Sequence, residues 1–220
     1  RSARRNAECR TENQDGCSRV IVVSHDEAPE RLRRAIEWGR LSILTELDEA
    51  NINCWIAGGA LRALFSAGEK IKDVDLFFPN HAEAMKAELW FENKGAKKLQ
   101  SFDTASKWLY KKRVYDVVKV FHSSDEQTPE STLARFDFTI ACVAVTKDAL
   151  YHHETFWIDL VGKSLVINEP TMPVATLRRL QKFIQRGYTI CNGGVVALAR
   201  AINELPEEAI TDENSTLYLD

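Results

Sequence analysis

Asp73-Val74-Asp75 is the stretch of this chain whose residue types and spacing point most directly to chemistry. On a β-strand, side chains two residues apart point to the same side, so both carboxylates can grip one metal centre while Val74 packs inward. Two-metal phosphoryl transfer needs such an arrangement, because ions about 4 Å apart require rigidly held oxygen ligands. An Asp-x-Asp on a strand edge can also be a solvated face. Thirteen residues separate Asp73 from Gly58-Gly59, which closes an apolar run and opens a helix-like stretch. Bare amides there could hold a phosphate, and the missing side chains allow close approach; taken alone, a glycine pair is more often an ordinary turn. Asp116, between Tyr115 and Val117, is either a third carboxylate of the same site or an outward-facing strand acid. The glycine pair followed by the aspartate pair favours the metal-and-phosphate reading.

These residues need a sheet to position them. An apolar run at 20–23 precedes Leu32, Ile36, Ile43 and Leu47, which recur near helical spacing as far as Ala50 and predict one long amphipathic helix, with Leu44 widening its stripe. Residues 53–57 predict a strand, 60–67 a helix, 73–78 a strand ended by Pro79-Asn80, and 81–93 a helix closed near Gly95. Residues 108–110 and 114–121 predict a hairpin turning at Lys111-Lys112-Arg113, so the sheet continues antiparallel. A connecting helix at 126–133 leads to a near-continuous apolar strand at 136–145, as expected at the centre of a covered sheet. Helices at 174–186 and 194–203 follow. The fold class expected is α/β (α+β), one mixed, largely antiparallel sheet flanked by helices. Residues 1–18 read as a mobile arm, 19–170 as the main domain, 171–205 as a small helical appendage and 206–220 as an acidic tail.

With 220 residues, 45% hydrophobic and 28% charged, the chain can bury a large core, which argues against disorder or a fibrous repeat. No apolar run approaches the 18 residues of a membrane span, and no apolar segment backs the early arginines as a secretory signal would. The first ten residues carry +3 and the last seventeen −6, leaving the body neutral, so any nucleic-acid contact should be local. Five cysteines without a Cys-x-x-Cys pair make zinc and a disulfide scaffold unexpected and suit a reducing, cytoplasmic compartment.

Trp55-Ile56-Ala57-Gly58-Gly59-Ala60-Leu61-Arg62 followed by Asp73-Val74-Asp75 resembles the opening motif of the polymerase-β-like nucleotidyltransferases, in particular the catalytic head of CCA-adding enzymes and bacterial poly(A) polymerases. Arg135-Phe136-Asp137-Phe138-Thr139-Ile140 is similar to that family's nucleotide-contacting motif, and Asp159-Leu160-Val161-Gly162-Lys163-Ser164-Leu165 to the flexible element after it. With Tyr188 after Arg186-Gly187, the chain looks most like the small stand-alone nucleotidyltransferases of phage and other viral genomes. The resemblance implies that Asp73, Asp75 and Asp116 hold Mg²⁺ (or Mn²⁺) and that Gly58, Gly59 and nearby Arg62 cradle the triphosphate of an NTP. It also implies that Arg135 and Asp137 contact the nucleotide. For Asp137 a strand-end acid satisfied by local amides is the structural alternative.

The departures matter too. Ala63 stands where the family follows its arginine with an aspartate, and Met172-Pro173 with Thr176 replaces the Glu-Asp-x-x-Arg template that selects C or A. The remaining residues leave no room for the helical neck, body and tail that hold tRNA, so CCA addition is not expected. Arg178, Arg179, Lys182 and Arg186 form a basic helix face that reads either as solvated or as a ridge for a triphosphate or an acceptor backbone. Arg179 and Lys182 are the nucleotide-binding candidates within it. Trp90, Trp108, Tyr110 and Trp157 could stack a base but read better as core. His152-His153 with His122 lacks the spacing of a metal cluster. Three functions are expected in decreasing order. The first is NMP transfer from an NTP to an RNA 3′ end, tRNA or another RNA. The second is the same transfer to a protein or small molecule, as in toxin and resistance branches. The third is nucleotide binding without catalysis, by an interaction protein.

Overall fold

The computed structural model describes residues 19–119 and 127–206; the expected arm at 1–18, nearly all of the acidic tail, His122 and the ends of two predicted elements lie outside them. Ten strands and eight helices are described there. The strands are β1 Val20–Ser24, β2 Trp55–Ala57, β3 Asp73–Phe77, β4 Lys97–Ser101, β5 Ala105–Tyr110, β6 Arg113–Val118, β7 Val143–Val145, β8 Ala149–His153, β9 Ser164–Leu165 and β10 Thr189–Ile190. The helices are α1 Glu30–Glu37, α2 Ile43–Glu49, α3 Gly59–Phe65, α4 His81–Asn93, α5 Pro129–Leu133, α6 Phe156–Gly162, α7 Pro173–Gln185 and α8 Asn192–Asn203.

Eight strands form one sheet in the order β1-β8-β7-β2-β3-β6-β5-β4, and β9 pairs with β10 separately. Every neighbour in the large sheet is antiparallel except β3 and β6. The expected mixed, largely antiparallel sheet is therefore what forms. The chain returns from β3 to the parallel β6 through α4, β4 and β5, a connection long enough for the crossover that parallel pairing demands.

One face of the sheet carries the main core. Val74 and Leu76 of β3, Tyr115 and Val117 of β6 and Trp108 of β5 pack with Ala84, Ala87 and Phe91 of α4 and with residues of α1, α2 and α3. Because side chains alternate along a strand, Asp73, Asp75 and Asp116 are left on the opposite face. There Trp55, Ala57, Phe77, Leu133, Cys142 and Ala144 make a smaller cluster beside them. A third cluster joins Phe138, Ile140 and Leu165 to Leu180, Phe183, Tyr188 and Leu198, which ties α7 and α8 to β9 and to the segment before β7.

Local sequence explains the crispest boundaries. Asn80 caps α4 by accepting from the Glu83 amide at 3.0 Å, and Gly95, at φ 70°, takes the left-handed turn just past its end. Thr128 and Ser131 make a reciprocal capping box on α5, with Pro129 in its first turn. The β5–β6 turn is only two residues, Lys111 and Lys112, both left-handed at φ 47° and 63°. Such a turn usually calls for Asn-Gly. The cost of lysine there is offset locally, because Lys111 and the Tyr110 hydroxyl both bond the Glu46 carboxylate, at 2.9 and 3.0 Å.

Two expected elements are broken instead of continuous. The helix expected through to Ala50 divides into α1 and α2 at Gly39. A side chain there would come within 2.7 Å of the Ala35 backbone, and the Gly39 carbonyl accepts from Arg113 at 2.7 Å. The strand expected over 136–145 is likewise interrupted by a 3-10 turn, Thr139–Ala141, before β7. Thr139 donates its hydroxyl to Asp159 at 2.8 Å, and Cys142 Sγ reaches the Leu133 and Phe138 carbonyls, so side-chain bonds replace ladder bonds. Apolar periodicity reports burial, and this segment is buried without being extended.

Candidate active site

Gly58 forms the turn between β2 and α3 with φ 76° and ψ −123°, a conformation essentially reserved for glycine. Its amide donates to Val143 on the neighbouring strand at 2.9 Å, and a Cβ would meet the Phe136 ring at 3.5 Å. At Gly59 a Cβ would meet nothing within 4 Å, so the space above this residue is open to a close approach. Gly58→Ala is therefore expected to cost about 1–3 kcal/mol of stability, from backbone strain and not from lost packing; denaturant titration should show the midpoint fall with the slope unchanged.

The aspartates lie one strand away. β3 places Asp73 and Asp75 on one side, and the β3–β6 register sets Asp75 directly beside Asp116. Across the β5–β6 hairpin, Asp116 faces Lys107. The Lys107 ammonium sits 3.1 Å from Asp116 Oδ2 and 3.6 Å from Asp73 Oδ2. Among the described residues, no three His, Cys, Asp or Glu side chains converge as they stand to hold a metal ion. The donor set nevertheless fits a hard divalent cation: three carboxylates on one face of adjacent strands offer the oxygen ligands that Mg²⁺ and Mn²⁺ take.

Two of the expected arginines, Arg62 and Arg179, have carboxylate partners within the chain. Arg62 leaves the glycine turn, bonds Glu69 at 3.2 Å and lies 4.7 Å over the Phe183 ring. Glu69 also accepts from the Tyr188 hydroxyl at 3.0 Å and comes within 4.0 Å of Arg186, so it gathers α3, α7 and the turn after α7 at one carboxylate. Burial, reinforced by this acceptor and its charge, raises the Tyr188 pKa above the usual phenol value, although the charge of Arg62 works the other way.

Asp137 is buried, 8% exposed, and is held by an ion pair with Arg179 of α7. The local-amide alternative for Asp137 thus gives way to an arginine partner contributed from 42 residues away. The carboxylate of Asp137 adds to burial in pushing the Cys142 thiol well above its ordinary pKa. Arg135 is exposed in the turn after α5, and Lys182 is half-buried on α7, one turn beyond Arg179. The basic face of α7 is therefore not a uniform ridge, since Arg179 and Arg186 both engage carboxylates.

Several other expectations are settled by burial. Trp108 is buried and stacks on Phe91 at 5.6 Å, while Trp157 packs edge-on against Phe65 and bonds His152. These rings are core. The segment expected to be a flexible element forms most of α6, which ends at a left-handed Lys163, and β9. Thr176 is fully buried with its hydroxyl on the Met172 carbonyl at 3.1 Å.

Sequence reasoning missed Lys107 and Glu69. For Lys107 a signal was present: counting back from a two-residue turn at Lys111-Lys112 sets Lys107 opposite Asp116. Glu69 sits in an irregular loop, where no periodicity announces a partner.

The profile of the Gabija anti-defense 2 family protein matches residues 34–163, more than half of the chain and all three aspartates. The chain belongs to this family. No curated protein matches it. Among solved structures, a CCA-adding enzyme in complex with CTP superposes with a TM-score of 0.63 at 19% identity, covering 86% of this chain and 50% of that one. The Thermotoga maritima CCA-adding enzyme complexed with tRNA gives 0.61 at 19% identity, covering 86% and 49%. A tRNA nucleotidyltransferase complexed with a primer tRNA and an incoming ATP analogue gives 0.60 at 18% identity, covering 80% and 55%. The Gabija anti-defense 2 chain thus shares the fold of these nucleotidyltransferases and spans about half their length. No described helix is long and apolar enough to cross a membrane.

Proposed function

We propose that this Gabija anti-defense 2 family member is a metal-dependent nucleotidyltransferase that moves NMP from an NTP to an acceptor hydroxyl and releases pyrophosphate. The observation that carries this reading is the register of β3 and β6, which aligns Asp116 with Asp75 on the face that also bears Asp73. Asp73, Asp75 and Asp116 would hold Mg²⁺ or Mn²⁺. When bound, the ions supply charge that acidifies the acceptor hydroxyl and neutralises the leaving pyrophosphate. The protein's own share is positioning. The sheet fixes the three carboxylates, and the open backbone at Gly59 admits phosphate oxygens beside them. Lys107 can turn its ammonium from Asp116 toward a phosphate on its flexible stem. Arg135 and Lys182 are the basic candidates for nucleotide contact, whereas Arg62 and Arg179 orient the surrounding elements through Glu69 and Asp137.

Two acceptor classes have support. The tRNA bound by two of the structural relatives favours an RNA 3′ end. The family's description as an anti-defence protein favours the defence-related alternative, a protein acceptor. Incubating the full chain with α-labelled NTPs, Mg²⁺ and either total RNA or cell lysate distinguishes them: label entering RNA alone supports the first, label in protein the second, and label in neither overturns both.

Base choice should be loose. Template discrimination depends on directed hydrogen bonds to base edges, and unmatched polar groups penalise the wrong base. At the corresponding positions Pro173 has no polar side-chain atom, and the Thr176 hydroxyl is turned back on its own helix. With four NTPs in equal competition, mixed or homopolymeric addition is expected; strict addition of two Cs followed by one A would contradict it.

A further inference from the structure

The carboxylates of β3 and β6 already share a cation that belongs to the chain. Lys107 reaches Asp116 at 3.1 Å and Asp73 at 3.6 Å, joining the two strands that bear the proposed metal-holding groups. Its position is fixed by more than rotamer choice. The hairpin register pairs Lys107 with Asp116, the two-residue turn at Lys111 and Lys112 pins that register, and the ties of Lys111 and Tyr110 to Glu46 anchor the turn. Lys107 and Asp116 are 32% and 17% exposed at their side chains, so their attraction is only partly screened by water.

We propose that Lys107 is a built-in competitor for the divalent ion, holding Asp73 and Asp116 in the nucleotide-free protein and lowering its affinity for metal. An ion that binds these carboxylates must displace the ammonium or tolerate its charge within a few ångströms, and either requirement weakens binding. The lysine stem can release the carboxylates without moving the backbone, so the competition is reversible. This inference rests on the reading of Asp73, Asp75 and Asp116 as metal-holding groups, and its test separates the two.

The test is direct Mn²⁺ binding to the full chain without nucleotide, followed by electron paramagnetic resonance of the free ion, for the wild type, Lys107→Gln, Lys107→Met, Lys107→Arg and Asp75→Asn. Lys107→Gln and Lys107→Met should each bind Mn²⁺ roughly ten-fold more tightly, since an opposing unit charge is removed from a part-buried site. Lys107→Arg should remain near the wild type, and Asp75→Asn should lose most binding. If both neutral variants bind no more tightly while Asp75→Asn still abolishes binding, the competitor role is overturned and the metal reading stands. If Asp75→Asn binds like the wild type, the metal reading falls and takes this inference with it.

Discussion

Asp75→Asn is expected to lower NMP transfer by on the order of 10³-fold while leaving the melting temperature nearly unchanged. The asparagine keeps the shape of the side chain and removes the charge that would attract a divalent ion, and loss of such transition-state stabilisation is worth several kcal/mol. Asp75 is half-buried on the carboxylate face and is not part of the core, whereas its neighbours Val74 and Leu76 are buried on the other face. Asp73→Asn should behave similarly and also loosen the Lys107 contact. Steady-state turnover in Mg²⁺ beside a thermal melt checks both halves. Near-normal turnover in either variant would contradict the metal assignment, and a collapsed melt would move these aspartates from chemistry to folding.

The second large effect concerns stability. Arg179→Ala should destabilise the protein by about 2–3 kcal/mol, because it strands the buried Asp137 carboxylate; breaking a buried pair costs about 3–5 kcal/mol, reduced here because Arg179 is 29% exposed. At about 2–4 °C per kcal/mol for a chain of this size, the melting temperature should fall by roughly 4–12 °C. Replacing both partners, Asp137→Asn with Arg179→Met, should recover a large part of that loss, since no uncompensated charge remains. A single Arg179 variant with an unchanged melt but a raised KM for NTP would instead return Arg179 to the nucleotide-binding role expected of the basic helix face.

The part of the sheet that carries the aspartates was legible in the sequence because its strands announce themselves, whereas β8, which lies inside the sheet, was not read as a strand. The run at 73–76 alternates acidic and apolar residues, the hairpin carries its turn at Lys111-Lys112, and α4 begins and ends on its cap and its glycine. The two broken elements were not legible. At Gly39 the break depends on a carbonyl accepted by Arg113, 74 residues away, and at Thr139 on a bond to Asp159, 20 residues away. The candidate site divides in the same way. Gly58, Gly59, Asp73 and Asp75 are neighbours in sequence and could be read as a group. The partner of Arg179 depends on how α7 packs against the segment that carries Asp137, and a basic helix face does not reveal which of its arginines will meet a buried acid. Edge elements were missed for another reason. β4 is exposed along its whole length, and its Lys97-Lys98-Leu99-Gln100-Ser101 sequence has no buried face to enforce alternation.

If these aspartates carry the proposed chemistry, the α-phosphoryl group of an NTP moves to the acceptor. The most direct measurement supplies the full chain, Mg²⁺ and acceptor with the same NTP labelled in parallel at its α or its γ phosphorus, and follows both labels. Transfer of the α label to the acceptor with the γ label leaving as pyrophosphate, both lost in Asp75→Asn, is the expected result; γ label on the acceptor, or pyrophosphate release that survives Asp75→Asn, would contradict it.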